Sequence, residues 1–342
     1  MRARLSAMLG IDQFDYELPE AAIAQTPCEP RDAARLLDAL GQSAVHRQVR
    51  DLPSLVGPGD VIVVNDTRVI PARLALHKTT GGAVEVMLLD EQADQSWRAL
   101  VRPGRRVKPG TAVVDADGVE VIEVGDDLGD GVRAVRSLTN EPILDIAHRV
   151  GQVPLPPYIT SGYDNADRYQ TVYARNERSV AAPTAGLHFT PEVLHQCREA
   201  GADILKVELA VGLGTFRPIL VDDVNEHEMH AERFNVPGSV LAACEAANRV
   251  IAIGTTSVRA LESAAAFDLD DGSTELFISP GYDFQVVDVL LTNFHQPKSS
   301  LLVMLSAFAG ERWRDLYAEA LADDYRFLSF GDAMIVGRNQ GH

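Results

Sequence analysis

The sequence predicts an α/β protein carrying a small all-β module, and three features support that prediction. Val61-Ile62-Val63-Val64 is an uninterrupted β-branched run, the texture of a strand buried on both faces. From about Pro71 to Val153 the chain breaks into short β-like runs separated by Gly and Pro. Beyond Pro154-Leu155-Pro156-Pro157, strand-like and helix-like segments alternate.

The first strand ends in Asn65-Asp66-Thr67-Arg68, and polar groups at the carboxyl end of a buried strand often line a site. In the β module the runs are Val84–Leu89, Trp97–Val101, Val119–Val124 and Val132–Val135, with turns at Pro103-Gly104 and Pro109-Gly110. Thr190 then reads as an N-cap and Pro191 as a first helical residue, with Leu194 and Cys197 at apolar spacing. Gly201 stops that helix before a strand near Ile204–Leu209. The unit recurs as a strand over Val250–Ile253, a tight connection at Gly254-Thr255-Thr256, and a helix from Ser257 with Val258 and Leu261 inward. A strand over Val286–Leu291 leads into Thr292-Asn293-Phe294-His295, and helices follow near Ser300–Ala309 and Trp313–Leu321. Asp268, Asp270 and Asp271 read as a solvated loop.

The 342 residues suffice for about two domains, and 46% hydrophobic with 23% charged residues is an ordinary globular balance. No apolar run approaches the roughly 20 residues that span a bilayer, and the opening MRARLSAMLG lacks the apolar stretch of a signal peptide. The expectation is a cytoplasmic protein without a membrane partner, a monomer by default. Cys28, Cys197 and Cys244 stand far apart, which predicts neither a disulfide framework nor a thiolate zinc site. A formal charge of -18 argues against a general nucleic-acid coat, so any RNA must meet a local cationic patch. The signatures G-x-x-x-x-G-K-[ST], H-E-x-x-H and G-x-S-x-G are absent, which removes the support for P-loop nucleotide hydrolysis, zinc proteolysis and serine hydrolysis.

Four clusters carry polar groups that a fold alone does not demand: Asn65–Arg73, Ala182–Phe189, Gly254–Glu262 and Thr292–Lys298. In the second, small residues permit close backbone approach and His188 can exchange a proton near neutral pH; a turn with a structural histidine is the plainer alternative. In the third, the N–H groups of Thr256 and Ser257 would point out of a helix N-terminus beside hydroxyls, a setting for a carboxylate or phosphate. Arg259 and Glu262, at i and i+3, fit either a site or a surface ion pair. His227 and His230 could ligate a metal from one helix face, but no third ligand is evident; proton transfer or hydrogen bonding is favoured there and no metal is expected.

Taken together, several long segments make the chain resemble the S-adenosylmethionine:tRNA ribosyltransferase-isomerase family of queuosine biosynthesis. They include VVNDTRVIPARL (63–74), VPLPPYI (153–159), SVAAPTAGLHFT (179–190), VGLGTFRP (211–218), HEMHAE (227–232), VIAIGTTSVRALES (250–263), TNFH (292–295) and YRFLSFGDAM (325–334), in family order over nearly the whole chain. The resemblance implies a large mixed α/β catalytic domain, 1–70 plus 154–342, interrupted by a small β-barrel domain over 71–153. It also implies the reaction: the ribosyl portion of S-adenosylmethionine passes to 7-aminomethyl-7-deazaguanine at the tRNA wobble position and isomerises, giving epoxyqueuosine while adenine and methionine depart. The sulfonium acidifies the ribose 5′ carbon, so a general base can start the sequence.

On that reading His188, His295 and Glu262 are candidates for proton transfer. Thr255, Thr256, Ser257 and Arg259, with Gly212, Gly214 and Thr215, are candidates for holding S-adenosylmethionine. Asn65, Arg68, Arg73, Thr184, Gly186, Phe189 and Asn293 are candidates for the substrate base and its surroundings. Arg98, Arg102, Arg105, Arg106 and Lys108 form a run without an intervening acid, and Arg102, Arg105 and Arg106 are candidate contacts to the RNA backbone. Two departures stand out: Ala210 where the family usually carries His, and Gln296 where it usually carries Leu. They leave open a paralogue with a different acceptor, or a catalytically silent RNA-binding relative.

Overall fold

A computed structural model describes residues 9–163, 165–212 and 218–339. The chain forms two compact units, one from the chain up to Thr67 with Pro156–Asn176 and the chain from Ala182, the other from Arg68–Leu155 with Glu177–Ala181.

The larger unit is built on a nine-stranded mixed sheet in the order Asp271–Thr274, Glu232–Asn235, Asp203–Leu209, Asp60–Asn65, Arg249–Ile253, Val289–Asn293, Ala333–Gly337, Arg35–Ala39, Val45–Gln48. Asp203–Leu209, Asp60–Asn65, Arg249–Ile253 and Val289–Asn293 run parallel, and Ala333–Gly337 returns antiparallel with Asn293 opposite Ala333. All six residues of Asp60–Asn65 are buried, as the β-branched run requires. Successive residues alternate between two cores. Ile62, Val64, Ile251 and Leu291 pack with Phe189, Val193 and Cys197, whereas Val61, Val63, Ala252 and Leu290 pack with Val258, Leu261, Leu305 and Trp313.

The helix Pro191–Glu199 has the expected cap, with Thr190 Oγ1 accepting from Val193 N–H at 3.2 Å, and Gly201 ends it at φ +98°. Three expectations shift. The helix Thr255–Phe267 begins two residues early, because Gly254 at φ +85° turns the chain directly out of the strand. The strand expected at Val286 begins at Val289, because the Val286 and Val287 N–H groups are taken by the Glu262 carboxylate rather than by a sheet ladder. Residues 227–231 are not helical, so the spacing of His227 and His230 does not align them on one helix face.

The smaller unit is an antiparallel barrel of six strands, Arg73–Lys78, Ala83–Glu91, Trp97–Arg102, Val132–Ser137, Glu120–Gly129 and Thr111–Val114, closed by pairing of His77 with Val114 and Lys78 with Val113. Alternating burial along Arg73–Lys78, with Leu74 and Leu76 inward, is the pattern a small filled barrel requires. The chain therefore has the mixed α/β fold with an inserted β-barrel that the sequence predicts.

Candidate active site

Four parallel strands end at one edge of the large sheet, and open sheets gather ligands beyond such carboxyl ends. Two hollows lie there. A polar one of about 30 Å³ is lined by Tyr158, Thr184, Asn293, Phe294, His295, Gln296, Ser299, Leu301, Leu328 and Ser329. A more apolar one of about 20 Å³ is lined by Leu209, Met229, Glu232, Thr255, Thr256, Arg259, Leu276, Phe277, Ile278, Ser300, Leu301 and Met304. Leu301 borders both.

Asn293 organises the polar hollow. Its Oδ1 accepts from Thr184 Oγ1 at 2.9 Å, and its Nδ2 lies 3.0 Å from His188 Nε2 and 3.4 Å from the Asp332 carbonyl. A carbonyl oxygen only accepts, so the amide nitrogen faces it and donates; His188 Nε2 is then the acceptor and the imidazole proton sits on Nδ1. Burial, reinforced by the Arg168, Arg326 and Arg31 guanidiniums, pushes His188 down to about 3. His188 is thus a neutral imidazole, 4% exposed, behind Asn293 and not among the residues that line either hollow. His295 does line the polar hollow; its Nε2 lies 3.0 Å from Thr292 Oγ1, and burial pushes it down to about 3. Tyr158 bonds Ser329 Oγ at 2.6 Å, and burial pushes its phenol up to about 12.

In the apolar hollow, Thr255 and Thr256 sit at the first turn of the helix Thr255–Phe267, which has no side-chain cap. Thr256 Oγ1 is buried and has no hydrogen-bond partner among the described residues. Ser257 instead spends its hydroxyl on the Ile253 carbonyl at 2.8 Å. Arg259 is no surface residue. It is 4% exposed, pairs with the Glu232 carboxylate, and donates to the carbonyls of Leu276, Thr274 and His230. Glu232 also accepts from Gly212 N–H at 2.8 Å, so the pair anchors the start of the Gly-rich segment. Gly214 and Thr215 lie outside the described residues.

The surface ion pair between Arg259 and Glu262 is absent. Glu262 is fully buried and accepts from the N–H groups of Gln285, Val286 and Val287 at 2.8, 3.0 and 3.0 Å, and from Tyr282 Oη at 3.3 Å. Burial raises its pKa against the pull of these donors, and it lines neither hollow. Asn65 links strand ends: its Nδ2 donates to the Leu209 carbonyl and its Oδ1 accepts from Thr67 and Leu209 N–H groups. Phe189 is a core residue, and Gly186 is required by contact, since a Cβ there would fall 2.1 Å from Tyr173 Oη.

In the barrel unit, Arg73 pairs with Glu85 at 2.6 Å and Arg68 with Glu177 at 3.3 Å. Arg102, Arg105 and Arg106 are exposed, while Arg98 lies 3.4 Å from Asp90. Among the described residues, the grouping with metal-ligand spacing is His46, Glu319 and Asp323, not the pair His227 and His230. Sequence reasoning missed Tyr158, Met229, Glu232, Leu301 and Ser329 as lining residues. Four of them lie inside or at the end of matched segments, but nothing in their residue types announced a site.

A family model described as a queuosine biosynthesis protein matches residues 11–336. S-adenosylmethionine:tRNA ribosyltransferase-isomerases of Rubrobacter xylanophilus and Moorella thermoacetica are each 48% identical; the alignments cover 95% of this chain and 97% and 99% of theirs. The crystal structure of an S-adenosylmethionine tRNA ribosyltransferase from Thermotoga maritima is 34% identical, with a TM-score of 0.53 over 95% of this chain and 99% of that one.

Proposed function

The chain belongs to the S-adenosylmethionine:tRNA ribosyltransferase-isomerase family of queuosine biosynthesis, and from that membership we propose how its residues divide the work. The chain is an enzyme that transfers and isomerises the ribosyl moiety of S-adenosylmethionine onto 7-aminomethyl-7-deazaguanine in tRNA, forming epoxyqueuosine. The observation that carries the assignment of the site is the pair of hollows at the strand ends, lined in part by residues of the segments that carry the family resemblance.

The apolar hollow receives part of S-adenosylmethionine. The lining of Leu209, Met229, Leu276, Phe277, Ile278 and Met304 suits its uncharged portions, and the hydroxyls of Thr255 and Thr256 at a helix N-terminus suit an oxygen-rich or anionic portion. The orphan Thr256 Oγ1 fits such a partner, because a buried hydroxyl without one costs free energy. Arg259 and Glu232 shape the wall and hold Gly212, since the guanidinium is already committed. The polar hollow receives the reacting centre, with His295, Thr184, Asn293, Tyr158 and Ser329 available to hold alkoxides or relay a proton. His188 acts through Asn293, as a neutral group that fixes the amide. Leu301 borders both hollows, so a donor lying across them contacts it.

No helix among the described residues is long and apolar enough to cross a membrane. A monomer working in the cytoplasm on tRNA, with the exposed barrel arginines Arg102, Arg105 and Arg106 touching RNA and no metal required, completes the reading. Calorimetry with S-adenosylmethionine tests the site. Leu301→Trp should abolish binding while the melting profile stays cooperative; unchanged affinity would put the donor elsewhere.

A further inference from the structure

Beside His188 lies a cluster of cations that the site as described does not use. Arg31 Nη1 and Arg168 Nη1 each approach the Leu187 carbonyl at 3.2 Å, so two guanidiniums converge on one oxygen. Arg31 also donates to the carbonyls of Gln170 and Asp167, and Arg168 to that of Cys28. Arg326 donates to the Thr26 carbonyl and stands 3.8 Å from Asp332. Carbonyls orient these cations without cancelling their charge. Among the described residues, the carboxylates paired with them are Glu29, 2.5 Å from Arg168, and Asp332, which also accepts the N–H groups of Arg35 and Arg326. Among the described residues, three guanidiniums therefore face two carboxylates, in a chain whose formal charge is -18.

Arg168 is buried, whereas Arg31 and Arg326 are half-buried. Tyr163, edge-on to Phe330 at 5.2 Å, stands near Arg31. None of the three arginines lines either hollow. They are nevertheless tied to the polar one, because Asn293 bridges its lining residue Thr184 to His188 and reaches the carbonyl of Asp332.

We propose that Arg31, Arg168 and Arg326 form a phosphate subsite that grips the RNA backbone next to the nucleotide undergoing reaction, with Tyr163 beside it as a stacking surface. This rests on the functional reading above. An acidic protein must meet a polyanion through local cations, and single strands are held by cationic grooves interleaved with aromatic rings. A small donor sits in the hollows, so a cation cluster outside them, one amide away from the polar hollow, matches a polymer whose base enters while its phosphate stays out.

The test uses the full chain, tRNA carrying the deazaguanine precursor, and Arg31→Gln with Arg326→Gln. Affinity for tRNA should fall roughly ten-fold near physiological salt, and the slope of log affinity against log salt should shallow by about 0.7, the value for one lost single-strand phosphate contact. Calorimetric affinity for S-adenosylmethionine should not change. If the double variant melts early, Arg326→Gln alone carries the test, since that side chain holds fewer backbone groups. Wild-type affinity and salt slope in a folded variant would overturn the subsite. So would weakened donor binding with tRNA binding intact, which would reveal a carboxylate site for the donor. A wild-type protein that releases adenine without binding tRNA would instead bring down the functional reading, and the subsite with it.

Discussion

His188→Gln separates a neutral, anchored imidazole from a titrating general base. In the folded protein His188 is held at about 3, against 6.5 for the free side chain. The unfolded chain therefore takes up a proton as pH falls through about 6.5, while the folded chain resists until about 3. Between those values the unfolded state binds more protons, so stability rises with pH and is lost on acidification. The loss is about 1.4 kcal/mol per pH unit, or about 2 kcal/mol between neutrality and pH 5. Gln can still accept from Asn293 Nδ2 but does not titrate in this range. Urea unfolding of both proteins at a series of pH values should show the acid loss smaller by about 2 kcal/mol at pH 5 in the variant. The comparison is within each protein, so any offset from the substitution itself drops out. Equal pH dependence in the two proteins, with a pH–rate inflection near neutrality that vanishes in His188→Gln, would instead identify His188 as the titrating base.

Arg259→Ala should cost roughly 3–5 kcal/mol of stability in urea unfolding, because Glu232 would be left charged, buried and without its cation; a loss under about 1 kcal/mol would deny the pair that weight. Gly186→Ala should destabilise by about 1–3 kcal/mol through overlap with Tyr173 Oη and Thr171, and Tyr173→Phe in the same chain should recover part of it, as read by thermal melting. Replacing Arg102, Arg105 and Arg106 together with Gln should weaken tRNA binding and shallow its salt dependence by roughly 0.7 to 0.9 log unit per lost phosphate contact. Unchanged affinity and slope would remove the barrel from the RNA interface.

The architecture was legible because its signals are local and periodic. Val61–Val64 has the β-branched texture of a doubly buried strand, and Thr190-Pro191 followed by Gly201 delimited a helix. The strand expected at Val286 slipped because a distant residue, Glu262, captures the N–H groups that a ladder would have used. The same cause blurred the site. Polar residues cluster in sequence at strand ends, but sequence does not reveal which way a side chain turns. Thr184, Asn293, His295, Thr255 and Thr256 face the hollows, whereas Ser257, Glu262 and Asn65 turn inward to satisfy backbone groups. The arginines around His188 come from three separated stretches of chain, so no spacing rule could have joined them.

Ribosyl transfer and isomerisation on tRNA is the activity of this chain. It is tested most directly by incubating the purified protein with S-adenosylmethionine and tRNA carrying 7-aminomethyl-7-deazaguanine at the wobble position, then quantifying adenine, methionine and the nucleosides of the digested RNA by mass spectrometry. Adenine and methionine should appear in equal amounts, matched by epoxyqueuosine in the RNA. Adenine release with the precursor nucleoside unchanged, or no adenine while tRNA is still bound, would contradict it.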